Sequence, residues 1–123
     1  MLTPIELAAD NAIGFSANGE VTAEDYETVL IPAVEEILRH EEKIRFLYHL
    51  GPEFTGFTGG AMWDDAKVGL RHLGAWERIA LVTDVEWLRK AAPLISITVP
   101  GEVKLFANTE LAAAMRWVQE PTV

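Results

Sequence analysis

Short apolar segments alternate with longer amphipathic ones along this chain, and this alternation limits its possible folds more than any other feature. Residues 43–50 (KIRFLYHL) and 78–83 (RIALVT) are rich in aromatic and branched side chains, as covered strands are. A helix is predicted between them over residues 61–73, and another begins at Asp84 and loses its regularity at Pro93. Strands that alternate with helices of this length form βαβ units with right-handed crossovers. The alternation therefore predicts an α/β fold.

The first part of the chain adds a hairpin and a helix to this pattern. Residues 2–8 and 12–17 alternate apolar and polar side chains around an Asp-Asn pair, which predicts two antiparallel strands joined by a tight turn. Thr22, followed three residues later by Asp25, predicts a helix N-cap. Pro32 lies inside the helix that follows, and because proline lacks the amide of a regular turn, we expect a kink just before it.

The last part of the chain completes the predicted fold. Residues 103–107 form a strand, and Asn108 or Thr109 caps a final helix. The predicted order is ββαβαβαβα, in one domain over residues 1–123. It consists of a five-stranded mixed, mostly parallel sheet packed by four main helices. The helix over residues 61–73 is expected to bury its apolar side chains, which are Met62, Ala66, Leu70 and Leu73.

Charge and composition exclude several classes of function. Ten Lys and Arg against 19 Asp and Glu give a net charge of -9, which disfavours nucleic acid and anionic membranes as partners. No apolar stretch reaches the roughly 20 residues of a membrane span, and the amino terminus does not read as a secretory signal, so a cytoplasmic protein is predicted. The chain contains no cysteine, which excludes a thiolate nucleophile and cysteine-ligated metals. No cofactor and no metal are predicted.

Two blocks of sequence, together with the element order, resemble those of a known group of proteins. The blocks are GEVTAEDYETVLIPAVEE at residues 19–36 and FTGFTGGAMWDDAKVGLRHL at residues 54–73. They resemble small bacterial proteins similar to the sporulation anti-sigma-factor antagonist, in the STAS-like superfamily. The resemblance covers nearly the whole chain and implies a STAS-like fold. This group is also similar in fold to the CRAL-TRIO lipid-binding domains.

The resemblance implies a possible site of phosphorylation. Anti-sigma-factor antagonists carry a phosphorylatable serine or threonine at the start of the helix after the third strand. Only Thr58 lies near that position here, and Phe57 stands where the family has an acidic residue. A phosphoregulated switch with Thr58 as its phosphoacceptor is therefore one hypothesis. The alternative is that Thr58 is simply the N-cap of the helix.

The glycine-rich stretch at residues 51–65 (GPEFTGFTGGAMWDD) is the candidate ligand site, because ligands of open α/β sheets favour the carboxyl ends of strands. Residues 51–60 are predicted to form a mobile flap over an apolar cleft. The alternatives are that the phenylalanines plug the core and that the glycines only form a turn. The predicted ligand-binding residues are Phe54, Phe57, Thr58, Gly59, Gly60 and Trp63.

The leading hypothesis is a non-enzymatic module that binds a small apolar or amphipathic ligand, or a protein partner, at this stretch. An alternative is a small enzyme in which His49 acts as a general base and Asp64 or Asp65 orients it. Adjacent carboxylates on a helix point about 100° apart, so they are not expected to share a metal ion. The apolar segment LISITV at residues 94–99 would be hard to cover in a monomer, which favours a homodimer.

Overall fold

The computed structural model describes residues 1–121, in which five strands form one sheet in chain order. β1 is antiparallel to β2, and every later pair of neighbours is parallel. The predicted hairpin and the predicted parallel pairing of the two central strands are therefore confirmed. The strands are β1 (Leu2–Ile5), β2 (Ala12–Val21), β3 (Ile44–Phe57), β4 (Trp76–Thr83) and β5 (Glu102–Phe106).

Four main helices connect or follow the strands, as predicted. Short 3-10 turns at Leu73–Ala75 and Asn108–Glu110 precede β4 and the last helix. Among the described residues, no helix combines the length and apolar character needed to cross a membrane. The helices are α1 (residues 23–38), α2 (Gly59–Arg71), α3 (Glu86–Thr98) and α4 (Leu111–Gln119).

The first helix begins at the predicted cap and contains the predicted irregularity. The Thr22 hydroxyl accepts a bond from the Asp25 amide at 3.2 Å, and the Asp25 carboxylate accepts one from the Thr22 amide at 2.9 Å. The turn Tyr26–Leu30 is a π-helix, in which the Ile31 amide donates to the Tyr26 carbonyl five residues back. Pro32 has no amide to close a regular turn, so the helix widens just before it.

The two faces of the sheet carry different helices and different cores. Successive side chains of a strand point to opposite faces, and in β3 Phe46 and Tyr48 lie on one face while Leu47 lies on the other. We call the first the front face, which packs against α1, α2 and α3. The opposite face, the back face, packs against α4 through Ala114 and Val118.

Two buried arginines on the back face bind the carboxyl end of α4. The Arg45 Nη1 donates to the Val118 carbonyl at 3.1 Å and to the Glu120 carbonyl, and its Nε contacts the Glu77 carboxylate at 2.5 Å. Arg78 Nη1 donates to the same Glu120 carbonyl at 3.0 Å. The last carbonyls of a helix have no partner within the helix, so these guanidinium groups supply the missing donors.

Two local predictions about α3 are wrong. Asp84 does not cap this helix, because its carboxylate accepts a bond from the Asn108 amide at 3.0 Å and the helix begins at Glu86. The helix also continues past Pro93 to Thr98, and its buried side chains, Leu88 and Ala92, precede the proline. Proline removes one hydrogen bond from a helix, and the packing of Leu88 and Ala92 on the core outweighs that loss.

The predicted buried side of α2 is also wrong. The buried residues are Ala61, Asp64 and Val68, whereas Met62 and Leu70 are exposed. The small residues at the start of α2 explain this orientation, because a Cβ at Gly60 would lie 3.0 Å from the Cβ of Ala23 in α1. The close approach of α1 and α2 therefore decides which side of α2 faces inward. The larger apolar side chains of α2 have less influence on its orientation.

The segment at residues 94–99 leaves large apolar side chains in contact with solvent. Leu94 is 69 % exposed and Ile97 is 82 % exposed. Such side chains on one surface favour contact with another molecule. The homodimer inferred from the sequence stays a prediction.

Candidate functional site

The glycine-rich stretch is largely a strand, so the expectation that residues 51–57 form a loop is wrong, and the mobile flap stays a prediction. β3 continues to Phe57 and pairs with β2 through Gly19↔Phe54 and Val21↔Phe57. The register shifts between these pairs and those before them, which is the sign of a bulge. Gly56 has φ of 148°, a conformation that favours glycine. The bulge explains how a strand accommodates residues that usually mark a loop.

The two phenylalanines of this stretch pack against the front-face core. Phe57 lies with its ring centroid 6.3 Å from that of Tyr48 and 6.2 Å from that of Trp87. Phe54 lies 4.9 Å from Phe57. These contacts favour the structural alternative, in which the rings plug the core.

Phe57→Ala is expected to lower the free energy of unfolding by about 2 kcal/mol, because it removes a partly buried ring with three aromatic neighbours. Trp63→Ala is the matched control, since Trp63 is 67 % exposed and its loss should cost less than about 0.5 kcal/mol. Urea unfolding of both variants measures the difference. A negligible loss for Phe57→Ala would favour the flap instead.

Thr58, Gly59 and Gly60 form the start of α2. The Thr58 hydroxyl accepts a bond from the Ala61 amide at 3.1 Å, which makes Thr58 the N-cap. Gly60 allows the close approach to α1, whereas a Cβ at Gly59 would meet open space. The capping bond favours a structural role for Thr58 over that of a phosphoacceptor, which stays a prediction.

The predicted pairing of His49 with Asp64 is wrong, because the sheet lies between them. His49 is on the back face, where its Nδ1 lies 3.1 Å from the Ser16 hydroxyl, and partial burial lowers the pKa of its imidazole. Asp64 is on α2, which packs on the front face, and its Oδ1 lies 3.6 Å from the Lys67 Nζ. Alternation along β3 sends the His49 side chain away from α2.

A groove lined mostly by apolar side chains lies on the front face, between α2 and α3. Its volume is about 330 Å³, which lies at the lower end of the roughly 300–1,000 Å³ range of ligand pockets. The side chains of β3, β4 and β5 form its floor. Its apolar lining residues are Leu30, Phe46, Ala66, Val68, Gly69, Leu70, Leu73, Trp76, Ile79, Leu81, Leu94, Ile95, Val99 and Val103.

Polar groups lie at one end of this groove. The Tyr26 hydroxyl donates to the Asp65 Oδ1 at 2.8 Å, and the Tyr26 and Tyr48 hydroxyls are 2.9 Å apart. Asp65 is exposed to solvent, and its carboxylate lies at the edge of the groove with one oxygen bonded to Tyr26. Partial desolvation of the carboxylate raises the pKa of Asp65, although the bond from Tyr26 opposes the rise. Burial also raises the pKa of both tyrosines, so they stay protonated donors.

The groove and its polar end were not predicted from the sequence. Of the described residues, none of the six predicted ligand contacts lines it, and Asp65 is the only residue of the candidate stretch at 51–65 that does. Two tyrosines could have indicated the polar end. Tyr26 lies in the apolar stripe of the first helix and Tyr48 in an apolar strand, and buried tyrosine hydroxyls need hydrogen-bond partners. Within residues 1–121, no three histidine or carboxylate side chains lie close enough to hold a metal ion.

Comparisons with known proteins support the resemblance seen in the two sequence blocks. A crystal structure of an uncharacterised DUF3478-family protein with a SpoIIAA-like fold, from Shewanella loihica PV-4, shares 29 % identity with this chain and a TM-score of 0.75. The match covers 96 % of this chain and 92 % of the other. No curated protein matches the sequence. The profile of the SpoIIAA-like family matches residues 12–119, and this protein therefore belongs to the SpoIIAA-like family.

Proposed function

We propose that this protein is a non-enzymatic binding module that takes a small, largely apolar molecule in the groove between α2 and α3. The observation that carries the proposal is an apolar groove whose size suits a small ligand. Its single polar end matches the usual composition of ligand pockets, in which a few polar groups orient a mostly apolar molecule. This site replaces the stretch at residues 51–60 as the proposed binding region.

The depth of the groove favours a small molecule over a flat protein surface as its occupant. Phe46, Tyr48 and Trp76 line its floor and belong to the buried core. Leu70 and Leu94 form exposed parts of its walls. A ligand seated between them would cover apolar surface that now faces solvent, which is the favourable contribution to binding.

Gly69 offers a direct test, because it borders the groove on α2 and a Cβ there would meet open space. Gly69→Phe places a large side chain at the groove, and its Cβ meets no neighbour within 4 Å. The variant should bind the neutral apolar dye Nile red at least about tenfold more weakly than the wild type. Its unfolding free energy should rise by about 0.5 kcal/mol, because phenylalanine is a better helix former than glycine.

Gly59→Phe is the matched control. It adds the same side chain to another glycine of α2 with open space around it, at a position that does not line the groove. Its affinity for Nile red should equal that of the wild type in a fluorescence titration. The proposal would be abandoned if Nile red failed to bind the wild type, or if Gly69→Phe bound it as tightly.

A further inference from the structure

We infer that the groove selects apolar ligands that carry an amine, and that the protonated amine pairs with Asp65. The inference rests on the proposed function and adds the chemical class of the ligand. It depends on three properties of the polar end. These are the hydrogen bonds around Asp65, the absence of a protein cation among the described lining residues, and the apolar lining of the rest of the groove.

The hydrogen bonds around Asp65 leave the carboxylate as the acceptor at the end of a chain. A tyrosine hydroxyl has a single hydrogen, and that of Tyr26 is donated to Asp65. Tyr26 must therefore accept from Tyr48, whose hydroxyl oxygen lies 2.9 Å away. Both hydroxyl hydrogens are directed along the chain towards the carboxylate. The arrangement fixes the position of Asp65 and presents an acceptor to the groove.

The charge of this carboxylate is not balanced by the groove. Across the part of the chain that the structure describes, no lysine, arginine or histidine lines it, and the other polar lining residues are Tyr48 and Thr98. The nearby Lys67 is directed to Asp64, at 3.6 Å. Asp65 is exposed at the edge of this apolar lining, and a carboxylate there is stabilised when an opposite charge is placed beside it. A ligand ammonium supplies that charge and donates hydrogen bonds as well.

The apolar surroundings determine the rest of the ligand. The other lining side chains are aliphatic or aromatic apart from Thr98, so a hydrocarbon chain or ring is expected beyond the amine. The net charge of -9 attracts cations and repels anionic amphiphiles. A neutral alcohol can donate one hydrogen bond to Asp65 but leaves its charge unbalanced. A ligand carboxylate would place two like charges together.

The test compares octylamine, octanol and octanoate at neutral pH, because they share one hydrocarbon chain and differ in the polar group. Each is titrated against Nile red bound to the wild type. Octylamine should displace the dye at a concentration about tenfold lower than octanol, since bonds between charged groups are stronger than neutral ones. Octanoate should be the weakest of the three.

Asp65→Asn is the matched variant, because the amide keeps the shape of the side chain and can still accept a bond from Tyr26. Octylamine and octanol should then compete within about twofold of each other. The order in which the three compounds compete on the wild type decides the test. The test therefore remains valid even if Asp65→Asn folds poorly. The same titrations on Gly69→Phe measure any displacement of Nile red from sites outside the groove.

The outcomes separate the inference from the proposed function. If Nile red binds in the groove and octylamine shows no advantage over octanol, the inference is overturned and the binding module stands. An amine advantage that persists in Asp65→Asn also overturns it. If Nile red does not bind the wild type, or binds Gly69→Phe equally well, the proposed function itself fails.

Discussion

Arg45→Ala is expected to lower the free energy of unfolding by about 4 kcal/mol. The side chain is buried on the back face, where it donates to the Val118 and Glu120 carbonyls and contacts Glu77. Truncation leaves the end of α4 without one of its two arginine donors and leaves the Glu77 carboxylate unpaired. Removing one partner of a buried ionic group typically costs about 3–5 kcal/mol, and because Glu77 is 30 % exposed, most of the loss here comes from the helix carbonyls.

The matched control for this prediction is Arg39→Ala. Arg39 also contacts a glutamate, Glu36, at 3.0 Å, but its side chain is 71 % exposed. An exposed pair of this kind contributes less than about 1 kcal/mol. Urea unfolding monitored by tryptophan fluorescence measures both variants. Equal losses for the two arginines would contradict the role assigned to Arg45.

Gly101→Ala is expected to lower the free energy of unfolding by about 3 kcal/mol. A Cβ at this position would lie 2.5 Å from the Glu77 carbonyl oxygen and still closer to that of Trp76. These are backbone atoms, so no rotation of a side chain relieves the clash. The start of β5 must move away from β4, which strains the adjacent pair Arg78↔Glu102. Overpacking typically costs about 1–3 kcal/mol, and an immobile neighbour places this case at the upper end.

Gly74→Ala provides the comparison, because a Cβ there would meet nothing within 4 Å. The change should be neutral or should raise the unfolding free energy by up to about 1 kcal/mol, since alanine restricts the unfolded chain. Thermal unfolding of the two variants beside the wild type tests the prediction. Similar melting temperatures for Gly101→Ala and the wild type would show that β5 adjusts at no cost.

The order of elements could be predicted from the sequence because each depends on local patterns. The run RIALVT predicts β4, and Thr22 with Asp25 predicts the start of α1, where the side chain and backbone bond each other. Pro32 marks an irregularity for a reason that is also local, since its missing amide affects only the preceding turn. Interactions within a few residues are sufficient for these features.

The groove could not be predicted in this way because its walls come from separate elements. Leu70 and Leu94 each fit an ordinary amphipathic helix, and only the way α2 and α3 pack on the rest of the fold leaves them beside an open space. Similarly, Gly56 reads as a loop residue until the pairing of β3 with β2 is known. The separation of His49 from Asp64 depends on which face of the sheet α2 covers, a property of the whole fold.

The π turn in α1 sets the rotation of one part of that helix against the other. A turn of this kind contains one residue more than a regular turn, and each residue of an α-helix turns the chain by about 100°. Tyr26 opens this turn and donates to Asp65, whereas Leu30 closes it and packs in the front-face core with Val34. The π turn thus connects the hydrogen bonding of Asp65 to the packing of α1 on the core.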